Sequence, residues 1–259
     1  MGNIKSNYIK NYVNFWRSFL LDIFFPVQCL GCGLDTVWLC NKCFKEIKIN
    51  SYMRCPKCRV ENTWGNYCDT CNESYSINGV WTAANYKDLL LNKLVKTLKY
   101  QFIKDISTIL AKILIIHFNN ISIKSRLNLN ESNHIVPKVL INISDTIVIP
   151  VPLHKKRERW RGFNQSAEIA KCFTNHTGLT IDNKHLIRIK NTKPQTKKSK
   201  DKRQRDLANS FSWRGDSLYK KNIILLDDVI TTGSTFNECA KALKTAKANE
   251  VWGITIASG

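Results

Sequence analysis

The strongest chemical signal in the sequence is a pair of carboxylates followed by a loop of small hydroxyl residues. Asp227 and Asp228 come directly after the apolar run Ile223–Leu226. Such a run is typical of a buried parallel strand, and open parallel sheets bind ligands at the carboxyl ends of their strands. An acidic helix cap would explain one aspartate but not two. We therefore expect the carboxylates to face sugar hydroxyls, directly or through a metal-bound water. The backbone and hydroxyl groups of the following loop would bind a phosphate at a helix N-terminus; the loop is Thr231, Thr232, Gly233, Ser234 and Thr235.

Eight of the ten cysteines lie within the first 71 residues, as four C-x-x-C pairs. Two consecutive pairs supply four thiolates, which is the ligand set of a closed, structural zinc site. The direct interpretation is two zinc ions. The loops between the C-x-x-C pairs are shorter than in a usual zinc ribbon. A crossed arrangement, in which the first pairs of the two quartets bind one ion together, therefore stays open, and so does the number of zinc ions, one or two. A redox C-x-x-C would need one reactive pair, not four. The quartets are Cys29, Cys32, Cys40, Cys43 and Cys55, Cys58, Cys68, Cys71.

Positive charge is concentrated in one part of the chain. The formal net charge is +20, and residues 151–221 carry 19 Lys+Arg against 6 Asp+Glu. One function for these cations is to neutralise a diphosphate, and the other is to follow the phosphates of a nucleic acid. The diphosphate candidates are Lys155, Arg157, Arg161, Arg203 and Arg205, and the nucleic-acid candidates are Lys197, Lys198, Lys200 and Lys202. Residues 191–209 read as a flexible basic loop. Trp160, Phe163 and Trp213 lie among the charges, as core residues or as platforms for stacked bases.

The periodicity of the remaining sequence predicts an α/β fold with a mostly parallel sheet flanked by helices. We expect a small cysteine-rich module with an amphipathic helix over residues 1–75 and a larger domain over 76–259, with a loop or insertion at 119–145. No apolar run is long enough and free enough of charge to predict a membrane span, and no cleavable signal is evident, so the thiols should meet a reducing cytoplasm. The expected strands are Val80–Tyr86, Thr146–Pro152, Ile223–Leu226 and Val251–Ile256, and the expected helices are Tyr8–Phe24, Leu89–Phe118 with a break near Lys99–Asp105, Asn164–His176 and Thr235–Ala248.

The acidic loop resembles the binding motif for 5-phosphoribosyl 1-diphosphate (PRPP) of type I phosphoribosyltransferases. The rest of the chain resembles more narrowly the ComF family of competence proteins, also called amidophosphoribosyltransferase-like, from about Phe19 onward. The matching motifs are Pro150–His154 with Arg157 and Arg161–Gln165; Phe25, Pro26, Cys29 and Cys32; Tyr86, Leu98, Lys99 and Tyr100; and Thr192, Gln195, Arg203, Arg205, Asn209 and Phe211. Lys198 and Asp206 depart from the family pattern, where Leu and Asn are usual.

This resemblance implies a Rossmann-like phosphoribosyltransferase domain with an N-terminal zinc module. It implies that Asp227 and Asp228 contact the ribose 2′ and 3′ hydroxyls, that the loop at 231–235 binds the 5′-phosphate, and that magnesium accompanies PRPP. It also implies a role with single-stranded DNA in natural transformation or recombination, in the bacterial cytoplasm. An ordinary salvage phosphoribosyltransferase without a DNA role is the alternative, and a PRPP sensor without turnover is a third hypothesis. His154 is the nearest candidate for a general base and is equally expected to be structural.

Overall fold

The structure is a computed structural model that describes residues 26–73, 75–127, 136–190 and 207–259. These residues fall into two compact units that divide between Ile47 and Lys48. The expected helix at Tyr8–Phe24 lies outside the described residues, as does the part of the basic loop from 191 to 206. The second cysteine quartet belongs to the larger unit, and the division at residues 75 and 76 stays a prediction.

The smaller unit is built around the first cysteine quartet. Its helix α1, Asn41–Glu46, begins after Cys40, whose sulfur accepts a hydrogen bond from the backbone N–H of Cys43 at 3.5 Å. The backbone N–H of Cys40 in turn donates to the sulfur of Cys29 at 3.3 Å. Sulfurs of this quartet therefore cap the helix and join the two C-x-x-C turns.

The larger unit begins with a short hairpin and a helical turn that hold the second quartet. The elements are β1 (Met53–Arg54), β2 (Glu61–Asn62), which pair antiparallel, and α2 (Asp69–Asn72). Gly79, which follows them, touches this module closely. A Cβ at residue 79 would lie 2.5 Å from the carbonyl oxygen of Gly65 and 2.5 Å from the ring of Trp252. The segment that follows the hairpin thus packs directly against the sheet.

Five parallel strands form the central sheet in the order β3-β9-β8-β4-β5. Their bounds are β3 Gly79–Asn85, β4 Thr146–Pro150, β5 Thr180–Ile181, β8 Asn222–Ile230 and β9 Val251–Ser258, and a separate antiparallel pair is β6 Leu186–Arg188 with β7 Phe211–Trp213. The first five residues of β8 are all buried, as expected of a strand covered on both faces. The predicted α/β class and the four predicted strands are confirmed.

Helices cover the sheet and connect its strands. They are α3 Leu89–Lys96, followed at once by a π-helical turn at Thr97–Gln101, α4 Ile106–Leu127, α5 Lys138–Ile141, α6 Lys155–Arg161, α7 Gln165–Thr177 and α8 Ser234–Thr245, with a 3-10 turn at Ile143–Asp145. The predicted break near Lys99–Asp105 is confirmed, and the helices at Asn164 and Thr235 begin within one residue of the prediction.

The predicted loop over 119–145 is wrong for its first nine residues, which continue α4 to Leu127. Ile121 is 1% exposed in this stretch, so its side chain anchors the last turns in the core although Asn and Ser surround it. Residues 128–135 lie outside the described part. Tertiary burial of one apolar side chain here overrides the weak local helix propensity.

Helix α4 is long and apolar enough to cross a membrane by length and composition alone, and half of its most apolar window is buried inside the fold. Phe118 of this helix meets Phe173 of α7 edge to face, with ring centroids 5.3 Å apart. Leu110, Ile113 and Leu114 are fully buried. This packing is that of a core helix.

Candidate functional site

The candidate site lies where the connections of the sheet diverge. Strand β4 leads through α6 and α7 to β5 on one side, whereas its neighbour β8 leads through α8 to β9 on the other. Parallel sheets bind ligands at such a switch point, in the crevice at the carboxyl ends of the strands. The pairing of β4 with β8 ends at Pro150 and Leu226, and Asp227 and Asp228 follow immediately. The two carboxylates therefore lie at the opening of the crevice.

The sequence predicted both aspartates at the end of their strand, but β8 continues to Ile230. Asp227 pairs in register with Thr255 of β9, because β9 extends past the point where β4 stops. The backbone of the two aspartates is thus paired with β9 on one side and is not paired with β4 on the other.

The two carboxylates have different environments. Asp227 accepts hydrogen bonds at Oδ1 from the Ser166 hydroxyl at 2.7 Å and from the backbone N–H of Asp228 at 2.9 Å. Asp228 is 3% exposed, and its Oδ2 lies 2.9 Å from Nζ of Lys99. Burial and repulsion by Asp228 raise the pKa of Asp227 to about 7. Burial lowers the pKa of Lys99, but attraction to Asp228 outweighs it and leaves that pKa above its usual value. Asp228 is thereby held as half of an ion pair, while Asp227 titrates near neutral pH.

A cleft of about 410 Å³ opens over this pair. Its lining combines the two carboxylates with cations, aromatic rings and one residue of the loop at 231–235, which is predicted to bind a phosphate and is called the phosphate loop below. The polar and aromatic lining residues are Lys99, Tyr100, Arg157, Trp160, Arg161, Gln165, Arg188, Asp227, Asp228 and Thr235. Four cations beside two carboxylates give the cleft a net positive lining, which suits an anionic ligand.

The predicted diphosphate cations divide into three groups. Arg157 and Arg161 line the cleft, and Arg161 is 8% exposed, with Nη1 donating to Oε1 of Gln165. Burial lowers the pKa of Arg161, opposed by the charge of Asp228. Lys155 is exposed and is not among the lining residues. Arg203 and Arg205 lie outside the described residues, together with Lys197, Lys198, Lys200 and Lys202.

The phosphate loop follows β8 and ends at the N-terminus of α8. Gly233 is the N-cap of this helix and has φ +74°, a conformation that side chains with a Cβ rarely adopt. The hydroxyls of Thr232 and Ser234 are 2.9 Å apart, and Thr235 lines the cleft. Of the five predicted phosphate-binding residues, Thr235 is the one that the cleft places beside the carboxylates, and Thr231 is exposed at the loop's outer end.

The second cysteine quartet packs beneath this loop. A Cβ at Gly233 would lie 3.0 Å from the hydroxyl of Tyr67, the residue before Cys68. The backbone N–H of Ser76 donates to Oδ1 of Asn237 in α8 at 2.7 Å. Cys55, Cys71 and Tyr67 share one buried cluster with Phe236 of the same helix. The module that holds the second quartet therefore supports the helix that carries the phosphate loop.

Each cysteine quartet has the geometry of a metal site. The four sulfurs of Cys29, Cys32, Cys40 and Cys43 lie within 4.8 Å of one another, and so do those of Cys55, Cys58, Cys68 and Cys71. The direct pairing is therefore the observed one. Burial raises the pKa of Cys43 in the first quartet and of Cys71 in the second to about 12, and hydrogen bonds with the neighbouring sulfurs add to the rise. Four crowded thiols resist shared ionisation, whereas zinc would neutralise them as thiolates, so the donor set fits structural zinc.

The structure also gives the positions of His154, the candidate general base, and of the aromatic residues that lie among the charges. Nδ1 of His154 accepts a hydrogen bond from the backbone N–H of Lys156 at 3.2 Å, and His154 is the N-cap of α6. This residue is thus a helix cap that is absent from the cleft lining. Among the aromatic residues, Phe163 is buried, and Nε1 of Trp213 donates to the carbonyl of Asp216 at 2.8 Å. Trp160 is 65% exposed.

Three residues of the site were not assigned a role from the sequence. Lys99 and Ser166 bind the two carboxylates across 129 and 61 residues of chain, and Arg188 lines the cleft from strand β6. Such long-range contacts leave no local pattern. Lys99 falls in the Leu98–Tyr100 motif of the family resemblance, which was the available signal.

Comparison with known proteins gives full-length relatives. No family model matches the sequence. "Competence protein F" of Haemophilus influenzae is 29% identical over 242 residues, which cover 89% of this chain and 97% of that protein. "DNA utilization protein YhgH" of Escherichia coli is 26% identical over 88% of this chain and 96% of that protein. "Competence protein ComFC" of Bacillus subtilis is 36% identical over 112 residues, or 42% of this chain and 43% of that protein.

These relatives support the ComF family as the family that the sequence resembles. The parallel sheet, the two cysteine quartets and the matches over most of the chain agree with one another. The family resemblance in the sequence is thereby confirmed.

Proposed function

We propose that this protein binds PRPP with Mg²⁺ in the cleft at Asp227 and Asp228, binds single-stranded DNA, and acts in DNA uptake during competence in the cytoplasm. The observation that carries the proposal is the position of the carboxylate pair at the switch point, beside a glycine-containing loop that opens a helix. The names of the relatives, which refer to competence and DNA utilization, supply the biological setting.

PRPP has three groups that the cleft complements. The ribose hydroxyls can donate hydrogen bonds to the carboxylates of Asp227 and Asp228. The 5′-phosphate matches the loop at 231–235, where backbone N–H groups and the helix dipole favour an anion. The diphosphate matches Arg157 and Arg161, whose guanidinium groups bind phosphate oxygens in pairs. Carboxylate oxygens also suit Mg²⁺, which would neutralise part of the diphosphate charge, so Asp227 and Asp228 are the residues that would hold it, directly or through water.

Transfer of the phosphoribosyl group would use the same contacts. In that reaction the bond from C1 of the ribose to the diphosphate oxygen breaks, its electron pair leaves with the diphosphate, and C1 bonds to an acceptor that loses a proton. The cations of the cleft stabilise the departing charge, and the carboxylates hold the ribose in place. We assign no general base, because His154 is occupied as a helix cap.

The DNA part of the proposal depends on charge. Helix α6 carries five cations and one acid in seven residues and lies at the cleft. Phosphate neutralisation by such a surface releases counterions, so the affinity for DNA should fall steeply with salt. Charge reversal at Lys197, Lys198, Lys200 and Lys202 should weaken binding of a single strand and flatten its salt slope. An unchanged slope would place the DNA surface elsewhere.

The decisive experiment is isothermal titration of the zinc-loaded protein with PRPP and Mg²⁺, with and without a single-stranded oligonucleotide. We expect the wild type to bind both ligands and Asp227→Asn to lose its affinity for PRPP. The control Asp216→Asn changes an exposed carboxylate outside the cleft lining and should bind both ligands as the wild type does. Unchanged PRPP affinity in Asp227→Asn would overturn the site. PRPP binding without any DNA affinity would favour the alternative, a salvage phosphoribosyltransferase that acts on a base or amine.

A further inference from the structure

An aromatic rim borders the mouth of the cleft. It consists of Tyr100, Phe102 and Trp160, whose residues are 61%, 40% and 65% exposed. Tyr100 and Trp160 also line the cleft itself, beside Asp227 and Asp228. Large apolar side chains that are exposed next to a ligand site, and not scattered singly, mark an interaction surface.

The rim is held in place by its own packing. The ring of Phe102 meets that of Trp160 edge to face, with centroids 5.4 Å apart and planes at 81°. Phe102 has φ +60°, which is unusual for a bulky residue and persists where the surrounding structure enforces it. The indole of Trp160 is thus fixed by one neighbour while most of its surface faces solvent. A preorganised aromatic face of this kind loses little entropy when it binds a flat ligand.

One π-helical turn joins the rim to the carboxylate pair. Within Thr97–Gln101, Lys99 points to Asp228 at 2.9 Å, whereas the next residue, Tyr100, is exposed at the mouth. Single π turns inside helices occur frequently at functional sites. A ring that stacks on the rim would therefore lie at the entrance to the site proposed for the ribose.

The charges around the rim select the kind of ring. Trp160 stands on α6 between Arg159 and Arg161, and Lys155, Lys156 and Arg159 of this helix are exposed. Within the described ranges, no carboxylate oxygen lies within 4 Å of the charged nitrogens of these three exposed side chains. A free base carries no phosphate to meet such cations, whereas each base of a single strand is accompanied by one. Stacked aromatic side chains in a cationic groove are the usual means of binding single strands.

We propose that the aromatic rim stacks a base of single-stranded DNA at the mouth of the cleft, so that the strand is presented to the phosphoribosyl site by its base. This inference rests on the proposed function in one respect, namely that the ligand inside the cleft is PRPP. The rim itself requires no PRPP, so the two proposals fail separately.

The test compares an oligothymidylate of about 12 nucleotides with an abasic strand of the same length, which has the same phosphates but no rings. Binding is measured by fluorescence anisotropy of a labelled strand. For oligothymidylate we expect Trp160→Ala to weaken binding about tenfold, Tyr100→Ala to weaken it less, and Trp160→Phe to restore most of the affinity. The abasic strand should bind the wild type more weakly than oligothymidylate does, and Trp160→Ala should not weaken it further. Tyr219→Ala removes an aromatic ring that is 67% exposed outside the cleft lining and should bind both strands as the wild type does.

Several results would overturn the inference. Equal affinity of the wild type for the two strands would show that base stacking does not contribute to binding. An oligothymidylate affinity of Trp160→Ala equal to that of the wild type would show that the rim does not bind the strand. Free thymidine that binds the rim as tightly as the strand would show that the ligand is not a polynucleotide. A wild type that binds oligothymidylate but not PRPP would contradict the proposed PRPP function and leave the rim intact. Binding of both ligands by the wild type, with oligothymidylate affinity unchanged in Trp160→Ala, would contradict the rim alone.

Discussion

The adjacent carboxylates Asp227 and Asp228 should affect folding stability with opposite signs. Asp228 forms an ion pair with Lys99 at 2.9 Å, so its charge has a partner. Asp227 has hydrogen-bond donors, and among the described residues no cation forms an ion pair with it. Burial and the charge of Asp228 raise its pKa to about 7. At pH 8, therefore, Asp227→Asn should stabilise the protein without ligand, and Asp228→Asn should destabilise it.

The magnitudes follow from these contacts. A rise in the pKa of Asp227 from 3.8 to about 7 corresponds to a ceiling of about 4 kcal/mol. Asn keeps the oxygen that accepts from Ser166 and from the backbone of Asp228, and part of the burial cost remains, so we expect a gain of about 1–2 kcal/mol. Removal of one partner from a fully buried ion pair costs about 3–5 kcal/mol. The side chain of Lys99 is 19% exposed, so we expect Asp228→Asn to cost about 2 kcal/mol.

The effect of Asp227→Asn should depend on pH. Because the pKa of Asp227 is raised in the folded state, its ionisation costs stability as the pH rises from 3.8 to about 7, and the full cost is present above that value. At lower pH the folded wild type keeps the proton and resembles the Asn variant. The stability difference between Asp227→Asn and the wild type should therefore fall by more than half between pH 8 and pH 5.

Thermal unfolding of the zinc-loaded proteins at pH 8 and pH 5 measures these differences, at about 2–4 °C per kcal/mol for a unit of this size. Asp216→Asn is the control for an exposed carboxylate and should change stability by less than about 0.5 kcal/mol. A lower melting temperature of Asp227→Asn at pH 8 would refute the reasoning, and so would a gain that is the same at both pH values.

Three other substitutions test the support of the site. Gly233→Ala should weaken PRPP binding at least tenfold in titration calorimetry, since φ +74° costs Ala about 1–2 kcal/mol and the added Cβ would lie 3.0 Å from the Tyr67 hydroxyl; wild-type affinity would contradict this. Cys58→Ser should lower both the bound zinc, measured by atomic absorption, and the PRPP affinity, whereas Cys172→Ser, outside both quartets, should lower neither. Gly79→Ala should destabilise the larger unit by about 2 kcal/mol in denaturant unfolding, because its Cβ would meet backbone and a packed indole at 2.5 Å; a loss under about 0.5 kcal/mol would show that the hairpin adapts.

The parts of the fold that sequence reasoning predicted are those with a local pattern. The runs at Thr146 and Val251 are apolar throughout and became parallel strands, and the cysteine spacing marked both quartets. The end of α4 was missed because Asn and Ser outnumber the apolar residues there, and the burial of Ile121 depends on contacts that are distant in sequence.

The sequence predicted the motif of the candidate site but not the contacts that its side chains make. The sequence placed Asp227 and Asp228 beside a phosphate loop, yet it assigned no partner to either carboxylate. Their partners, Lys99 and Ser166, come from a π turn and from the start of α7. Sequence alone does not predict which of two adjacent carboxylates is paired with a cation, since this depends on how the helices cross the edge of the sheet.

The second cysteine quartet is better understood as part of the candidate site's scaffold than as an appended module. Tyr67 and Cys71 pack in one cluster with Phe236, and Ser76 binds Asn237 of the same helix. The phosphate loop depends on where this helix begins, so a metal that fixes the quartet also fixes the floor of the loop. Loss of a zinc ion bound to the second quartet would then act first on the proposed 5′-phosphate contact and leave the ion pair between Lys99 and Asp228 in place.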